Sequence, residues 1–477
     1  MAFLTVRPLR DKELRNTIFH LAWPTITEQA LQTIVQYVDT AQVGRINVRA
    51  SAAVGLTSTT MWLVNAPIWA IAMGVLACVS QSLGAKDAAR ARRAASQSVL
   101  LTLIAGISLT VLTLAISPFL PGWLGAREDI YQDTARYFAI VCAPMLFRAA
   151  SIIFAAVLRA VGNTKTPMLI NILMNLSNII LNFLLINPSS SWTLGGTKFF
   201  IPGAGLGVTG AAIATAFSYV AGGILMTVYA MHSSLFSEKS QLFQYDSTAM
   251  RQCMSISVPI AADRITVMLG QVVFTSLVAR LDTVSIASHT IALTAEQAFY
   301  VPGFGMQSAA ATLAGYNIGS QNETKLMEYS SAITTLAVIL MTSMSAVLFL
   351  FPEAIMSLFT PDQQAIALGG QVLRVVAVSE PFYAVVIILE GTFNGAGDTR
   401  VPFLMSVFTM WGVRIVSTWF CVNVFHLGLT AVWGCMVADN MTRFLLMSHR
   451  YRGRRWRHGL SKSRVENTYN VKTSKET

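Results

Sequence analysis

Twelve stretches of this chain are predominantly apolar over the roughly 20 residues that a helix needs to cross a bilayer. They run at about 17–43, 51–78, 95–118, 136–158, 167–187, 207–231, 253–279, 285–315, 331–352, 371–392, 402–424 and 428–448. Segments of this kind must satisfy their own backbone in lipid, and a helix does so. The charged surface of a soluble protein is also missing. Only 12% of the residues are charged, against about 25% in ordinary soluble domains. The expected class is an all-α integral membrane protein.

A second pattern divides the twelve segments into two sixes. Pro24 and Pro259, Pro67 and Pro302, and Gly84 and Gly319 are each 235 positions apart. Gly162-Asn163-Thr164-Lys165-x-Pro167 returns at the same spacing as Gly397-Asp398-Thr399-Arg400-x-Pro402. In the first segment Gln36, Thr40, Val43 and Arg45 return as Gln271, Thr275, Val278 and Arg280. Each repeat holds an even number of spans, so the two are parallel and related by a pseudo-two-fold along the membrane normal. The expected layout is an N-terminal six-helix lobe over 1–231, a cytoplasmic linker over 232–250, a C-terminal six-helix lobe over 251–448 and a basic cytoplasmic tail over 449–477. Two lobes in one chain suit alternating access better than they suit a channel.

The net charge of +11 does not point to nucleic acid, because it is concentrated beside the spans. From Arg450 onward nine Lys/Arg stand against two Glu. Further clusters lie at Arg7–Arg15, Lys86–Arg93, Arg159/Lys165, Lys239/Arg251 and Arg400, all on one side of a twelve-span topology. The other side has Arg45, Arg49, Arg127, Lys198 and Arg280. That bias places both termini in the cytoplasm. The first segment is too long for a signal-peptide core and reads as a retained helix. The five cysteines form no CxxC pair and read as small buried hydrophobes rather than disulfide or metal partners.

Polar side chains inside spans are costly and mark candidate sites. Glu28, Gln32, Gln36 and Asp39 are spaced 4, 4 and 3, which makes one stripe on a helix. Asn171, Asn175, Asn178 and Asn182 form another, at spacings of 4, 3 and 4 in the fifth segment. Asp39 breaks the repeat, since its counterpart is Phe274. Glu28 keeps an acidic counterpart in Asp263. A carboxylate drawn out of water can take up and release a cation or proton, and neighbouring amides can bond to either state. Asp39 is therefore the expected ion-coupling group. Glu28 and Asp263, each one turn after a proline, serve equally well as kink partners or as cavity-lining groups. Gln32, Gln36 and Asn175, together with Glu296 and Glu380 of the second half, complete the candidate substrate-binding residues. Arg148, Arg264, Arg374, Arg414 and Arg443 read as partners in salt bridges between helices. The 21 methionines and 25 phenylalanines suit an adaptable apolar cavity.

No phosphate loop is present, and the two Gly-x-Thr-Lys/Arg elements are tight turns ahead of proline-started helices. HExxH, GxSxG and clustered metal ligands are also absent. An enzyme, a resident metal and a cofactor are therefore not expected.

Several strings together resemble one family. "WPTITEQALQTIVQYVDTAQVG", "LRAVGNTKTPMLINILMNLSNIILN", "PGFGMQSAAATLAGYNIGS", "NGAGDTRVP" and "GLTAVWGCMVAD" are similar to the multidrug and toxic compound extrusion (MATE) family, in particular its prokaryotic DinF-like branch. The resemblance spans roughly residues 15–455. It implies a twelve-helix exporter of amphipathic, often cationic compounds, driven by H⁺ or Na⁺ antiport. The expected setting is a bacterial inner membrane, with membrane lipid and small-molecule substrates as partners and the chain as a monomer. It also implies that Asp39 matches the branch's coupling acid and that Asn178 and Asn182 match its fifth-helix pattern. Asn182 departs from the commoner acid there. Thr215 matches a sixth-helix hydroxyl, with Thr209 as the alternative. A lipid-linked or metabolite flippase of the same broad superfamily is the rival reading, against which the acidic first-helix stripe speaks.

Overall fold

The structure, a computed structural model, describes residues 11–44, 46, 48–194, 197–238 and 242–457. The expected basic residues Arg7, Arg10, Arg45 and Lys239 and the tail from 458 lie outside the described residues, as does the side chain of Lys198.

Each of the twelve apolar segments lies in a helix of spanning length. In chain order these are α1 (Lys12–Gly44), α2 (Val48–Gly84), α3 (Ala88–Ile116), α4 (Glu128–Cys142 and Met145–Ala160), α5 (Lys165–Ile186) and α6 (Gly207–Met231). The second six are α7 (Ser247–Val278), α8 (Thr283–Gly319), α9 (Glu323–Leu350), α10 (Gln363–Ala377 and Glu380–Ala396), α11 (Arg400–Asn423) and α12 (Leu429–Arg452). α4 bends by 47° and α10 by 57° at their breaks, which fall at equivalent positions of the repeat. Among the described residues seven helices are long and apolar enough to cross a membrane, or nine with the two bent pairs. The remaining three, α1, α8 and α12, carry buried polar groups: Glu28 on α1, His289 and Glu296 on α8, and Asp439 and Arg443 on α12.

The repeat also appears in the backbone. Pro24, Pro67, Pro259 and Pro302 all lie inside helices. Gly162 and Gly397 end α4 and α10 at φ +85 and +83, a left-handed conformation that glycine adopts without strain. The turn after α2 and the turn after α8 use Lys86 and Gln321 at φ 58 and 56. Just before those turns, a Cβ on Gly84 would fall 1.9 Å from the Tyr316 carbonyl oxygen, and one on Gly319 would fall 1.9 Å from that of Gln81. The ends of α2 and α8 therefore touch backbone to backbone, reciprocally.

Two features were not anticipated. An antiparallel hairpin, β1 (Pro188–Leu194) and β2 (Thr197–Ala204), joins α5 to α6. The expected linker also ends early. The Asp246 carboxylate accepts from the amides of Thr248 (2.9 Å) and Ala249 (3.0 Å) and so caps α7.

The described residues pack as two compact units. One comprises Ala30–Val75 and Ala89–Arg251. The other comprises Gln252 onward together with the stretches up to Gln29 and Leu76–Ala88. The division between the two packing units passes through α1 and α2. The start of α1 belongs with the second unit because Leu14, Ile18, Leu21 and Ala22 share a core with Met306, Leu313 and Ile387. The Thr25 hydroxyl also donates to the Gly305 carbonyl at 2.8 Å.

Candidate functional site

Within the first unit, α1, α5 and α6 bring together Asp39, Asn178, Asn182 and Thr215. Asn182 Nδ2 donates to Asp39 Oδ1 at 2.6 Å. It also lies 3.2 Å from Asn178 Oδ1, and Asn178 Nδ2 lies 3.3 Å from Thr215 Oγ1. Turning the Asn178 amide over satisfies the group more fully. Its NH₂ then donates to Asp39 Oδ1 (2.9 Å) and Oδ2 (3.2 Å), and its oxygen accepts from Thr215. The spacing of four between Asn178 and Asn182 is what aims both amides at one carboxylate. Both asparagines are buried.

The site can hold Asp39 in two states. An ionised carboxylate takes the amide N–H groups. A protonated one needs an acceptor, and Asn178 supplies it by presenting its oxygen. Thr215 can donate or accept, so it serves either amide orientation. Thr215, rather than Thr209, is the hydroxyl within reach of Asn178.

The remaining predicted residues are placed apart from this group or along its helices. Asn171 Nδ2 donates to the Pro167 carbonyl at 2.9 Å, which satisfies it locally. Asn175 is buried, and its Nδ2 has no hydrogen-bond partner among the described residues. Gln32 is half-buried and Gln36 exposed. Glu28 is buried and belongs to the second unit.

In that second unit the Tyr300 hydroxyl bonds to Glu296, and Glu380 stands beside the same tyrosine. Both glutamates are buried. Asp263 is in a different neighbourhood, among Arg264, Glu390, Arg443 and Ser406. The three second-half acids thus form no single cluster.

Four of the five arginines singled out from the sequence make ion pairs. Arg264 meets Glu390 at 3.6 Å and Arg374 meets Glu353 at 2.8 Å. Arg414 meets Asp439 at 2.7 Å, with Arg443 at 3.9 Å from the same carboxylate. Arg148 departs from the expectation, since its guanidinium lies over the Tyr219 ring at 4.5 Å, a cation–π contact.

Sequence reasoning missed two groups. Tyr137 of α4 lies close enough to interact with both Asp39 and Tyr219. Tyr219 is one turn beyond Thr215, so helical spacing alone could have found it. The second group lies around Phe274, the counterpart of Asp39. The Phe274 ring is 5.5 Å from His289 and 5.6 Å from the Arg414 guanidinium. Trp433 Nε1 donates to His289 Nδ1 at 3.2 Å. Arg414 is carried by a π-helical stretch of α11, Phe408–Ile415, of a kind that often occurs at functional positions. The wider turn has no sequence signature here.

Comparison with known proteins gives a consistent picture. The MatE family profile matches residues 24–184 and again 259–420, two copies starting 235 residues apart. The chain is 26% identical over 456 residues to the probable multidrug resistance protein NorM of Thermotoga maritima, covering 95% of this chain and 96% of that one. It is 25% identical over 391 residues to the multidrug export protein MepA of Staphylococcus aureus, covering 80% and 82%. Among solved structures, an outward-facing multidrug resistance MATE family transporter of the MOP superfamily superposes with a TM-score of 0.83 at 22% identity, over 96% of this chain and 98% of that one.

Proposed function

The chain belongs to the MatE family, and from that premise we propose that it is a secondary multidrug exporter that uses Asp39 to couple efflux of amphipathic, often cationic compounds to inward movement of H⁺ or Na⁺. The names of its relatives support multidrug efflux. The observation that carries the coupling is the hydrogen-bonded group of Asp39, Asn178, Asn182 and Thr215, built in one half of a repeat whose other half has Phe274 at the acid's position.

The cycle follows from the chemistry of that group. With the cavity open outward, Asp39 takes up the ion. Its bonds to the two amides then rearrange, and Asn178 turns its oxygen instead of its NH₂ toward a protonated carboxyl. The change passes along α1, whose bend at Pro24 alters, and substrate affinity falls. An ion drives such a cycle only by binding the two states with different affinity. The protein sits as a monomer in a bacterial inner membrane with both termini in the cytoplasm.

The test is efflux of ethidium or a fluoroquinolone from vesicles, with pH and Na⁺ gradients imposed separately. One gradient drives wild-type efflux. Asp39→Asn abolishes it while the protein still inserts and binds ethidium. Undiminished gradient-driven efflux by that variant would overturn the assignment.

A further inference from the structure

We infer that Cys421 and Cys435 are a redox-sensitive pair that a disulfide oxidant outside the cell closes into a cross-link between α11 and α12. Their Sγ atoms stand 3.6 Å apart. A disulfide needs about 2.05 Å, so closure requires an approach of only about 1.5 Å, within reach of small side-chain rotations. All five cysteines are free. Cys78, Cys142 and Cys253 are buried, whereas Cys421 is half-buried. The pair therefore joins one reachable thiol to one protected thiol, so access decides which of the two meets an external disulfide first.

The position in the chain supplies the reason for an oxidant. Cys421 lies two residues before the end of α11 at Asn423, and Cys435 lies in the second turn of α12, which starts at Leu429. The inference rests on the proposed orientation, in which the turn between these helices faces outward. Disulfides form and persist on that side of a membrane and not in the cytosol.

The step balances as thiol–disulfide exchange. The Cys421 thiolate attacks an external disulfide, forming a mixed disulfide and expelling one thiolate. Cys435 loses its proton and attacks the Cys421 sulfur, expelling the second thiolate. The two cysteines are oxidised by two electrons, and the external disulfide is reduced to two thiols.

The consequence follows from what lies one step further in. Asp439 is one turn beyond Cys435, and Arg414 is seven residues before Cys421. These are the partners of the ion pair that joins α11 to α12 at 2.7 Å. A cross-link at the outer end would tie the same two helices a second time. Any stage of the cycle that slides or spreads α11 against α12 is then blocked.

The experiment uses the full chain in native membranes. Membranes are treated with diamide or with dithiothreitol, then denatured and reacted with maleimide-polyethylene glycol. Each free thiol adds one shift on a gel. The reduced protein should show five and the oxidised protein two fewer. Cys421→Ser, one thiol short, should show no further loss, and Cys435→Ser should lose at most the one thiol held as the unresolved mixed disulfide. Equal counts before and after diamide in the wild type, or a loss of two thiols in either variant, overturn the pair. A membrane-impermeant disulfide added outside should act as diamide does. Failure of that reagent alone overturns the outward placement and leaves both the pair and Asp39 coupling untouched. Ethidium efflux should be lost in the oxidised wild type, return with dithiothreitol and be insensitive to diamide in Cys435→Ser. Unchanged efflux by cross-linked protein overturns the effect on the cycle.

Discussion

At the scale of single residues, the difference between Asp39 and Phe274 organises the two halves. Asp39 is surrounded by groups that can change partners: two amides, a hydroxyl and the nearby Tyr137. The groups around Phe274 pair with one another, while the buried His289 Nε2 has no hydrogen-bond partner among the described residues. His289 accepts from Trp433, and the Arg414 above it is paired with the fully buried Asp439. The contacts around Asp39 also rank in strength. A hydrogen bond to a charged group contributes about 1.5–3 kcal/mol and one between neutral groups about 0.5–1.5 kcal/mol. Asn182→Leu, which removes a bond made directly to Asp39, should therefore reduce coupled efflux more than Thr215→Val, which only orients Asn178. Initial rates of vesicle efflux for the two variants, at matched protein levels, measure the order. The reverse order would mean that Thr215 contacts the ion or the substrate itself. The asparagine stripe and the acid were legible in the sequence because period and charge alone reveal them. The partners of Arg414 were not, because Asp439 is brought to it from another helix by packing.

At the scale of elements, the ends of helices carry checkable energetics. Asp282 caps α8, with its carboxylate accepting from the Ser285 amide and hydroxyl, both at 2.7 Å. Those bonds hold its pKa below the ordinary carboxylate value. A depressed folded-state value stabilises the fold above the unfolded pKa, and the benefit is lost as pH falls through the folded one. Asp282→Ala should therefore cost about 1 kcal/mol at neutral pH. That deficit should shrink as the pH drops below about 3.9, as followed by thermal unfolding in detergent across pH. The glycines at the α2–α8 contact give a sharper expectation. Gly84→Ala and Gly319→Ala each put a methyl group into a backbone carbonyl, which no rotamer relieves. Both should strongly lower the yield of folded protein and to a similar degree, because the contact is reciprocal. Gly55→Ala, where a Cβ meets nothing within 4 Å, should be tolerated. Size-exclusion profiles of the three variants decide it. The twelve spans and their proline and glycine punctuation were readable because hydropathy and turn chemistry are local. The hairpin at 188–204 and the π-helical turn of α11 were not. The first is a short insertion in which Phe199, Phe200 and Ile201 run together instead of alternating with polar residues, and the second is a change of hydrogen-bond register that leaves composition untouched.

At the scale of the whole molecule, the repeat and the packing units record different constraints. The repeat, found at one spacing in sequence, turns and helix breaks, reflects how the chain is built from two copies. The packing units follow contact instead, so the start of α1 and the end of α2 group with the second copy's residues. Gln29 is therefore the point at which α1 passes from one unit to the other, and only the portion beyond it carries Asp39. The expected orientation in the membrane follows from neither of these but from charge. Lys86, Arg90, Arg92 and Arg93 follow α2, Arg159 and Lys165 flank the turn after α4, and Arg400 starts α11. All of these fall on the side that the positive-inside rule assigns to the cytoplasm, and the hairpin between α5 and α6 falls on the other. A phosphatase that is active only outside the cytoplasm should be active when inserted at 195–196 and inactive when inserted after Asn163 or Asp398. A fluorescent protein that matures only in the cytoplasm should give the opposite pattern. The inverse result at all three sites would reverse the topology. It would put the turn carrying Cys421 in a reducing compartment and make Asp39 load its ion from the inner side, so an inward gradient could no longer drive export.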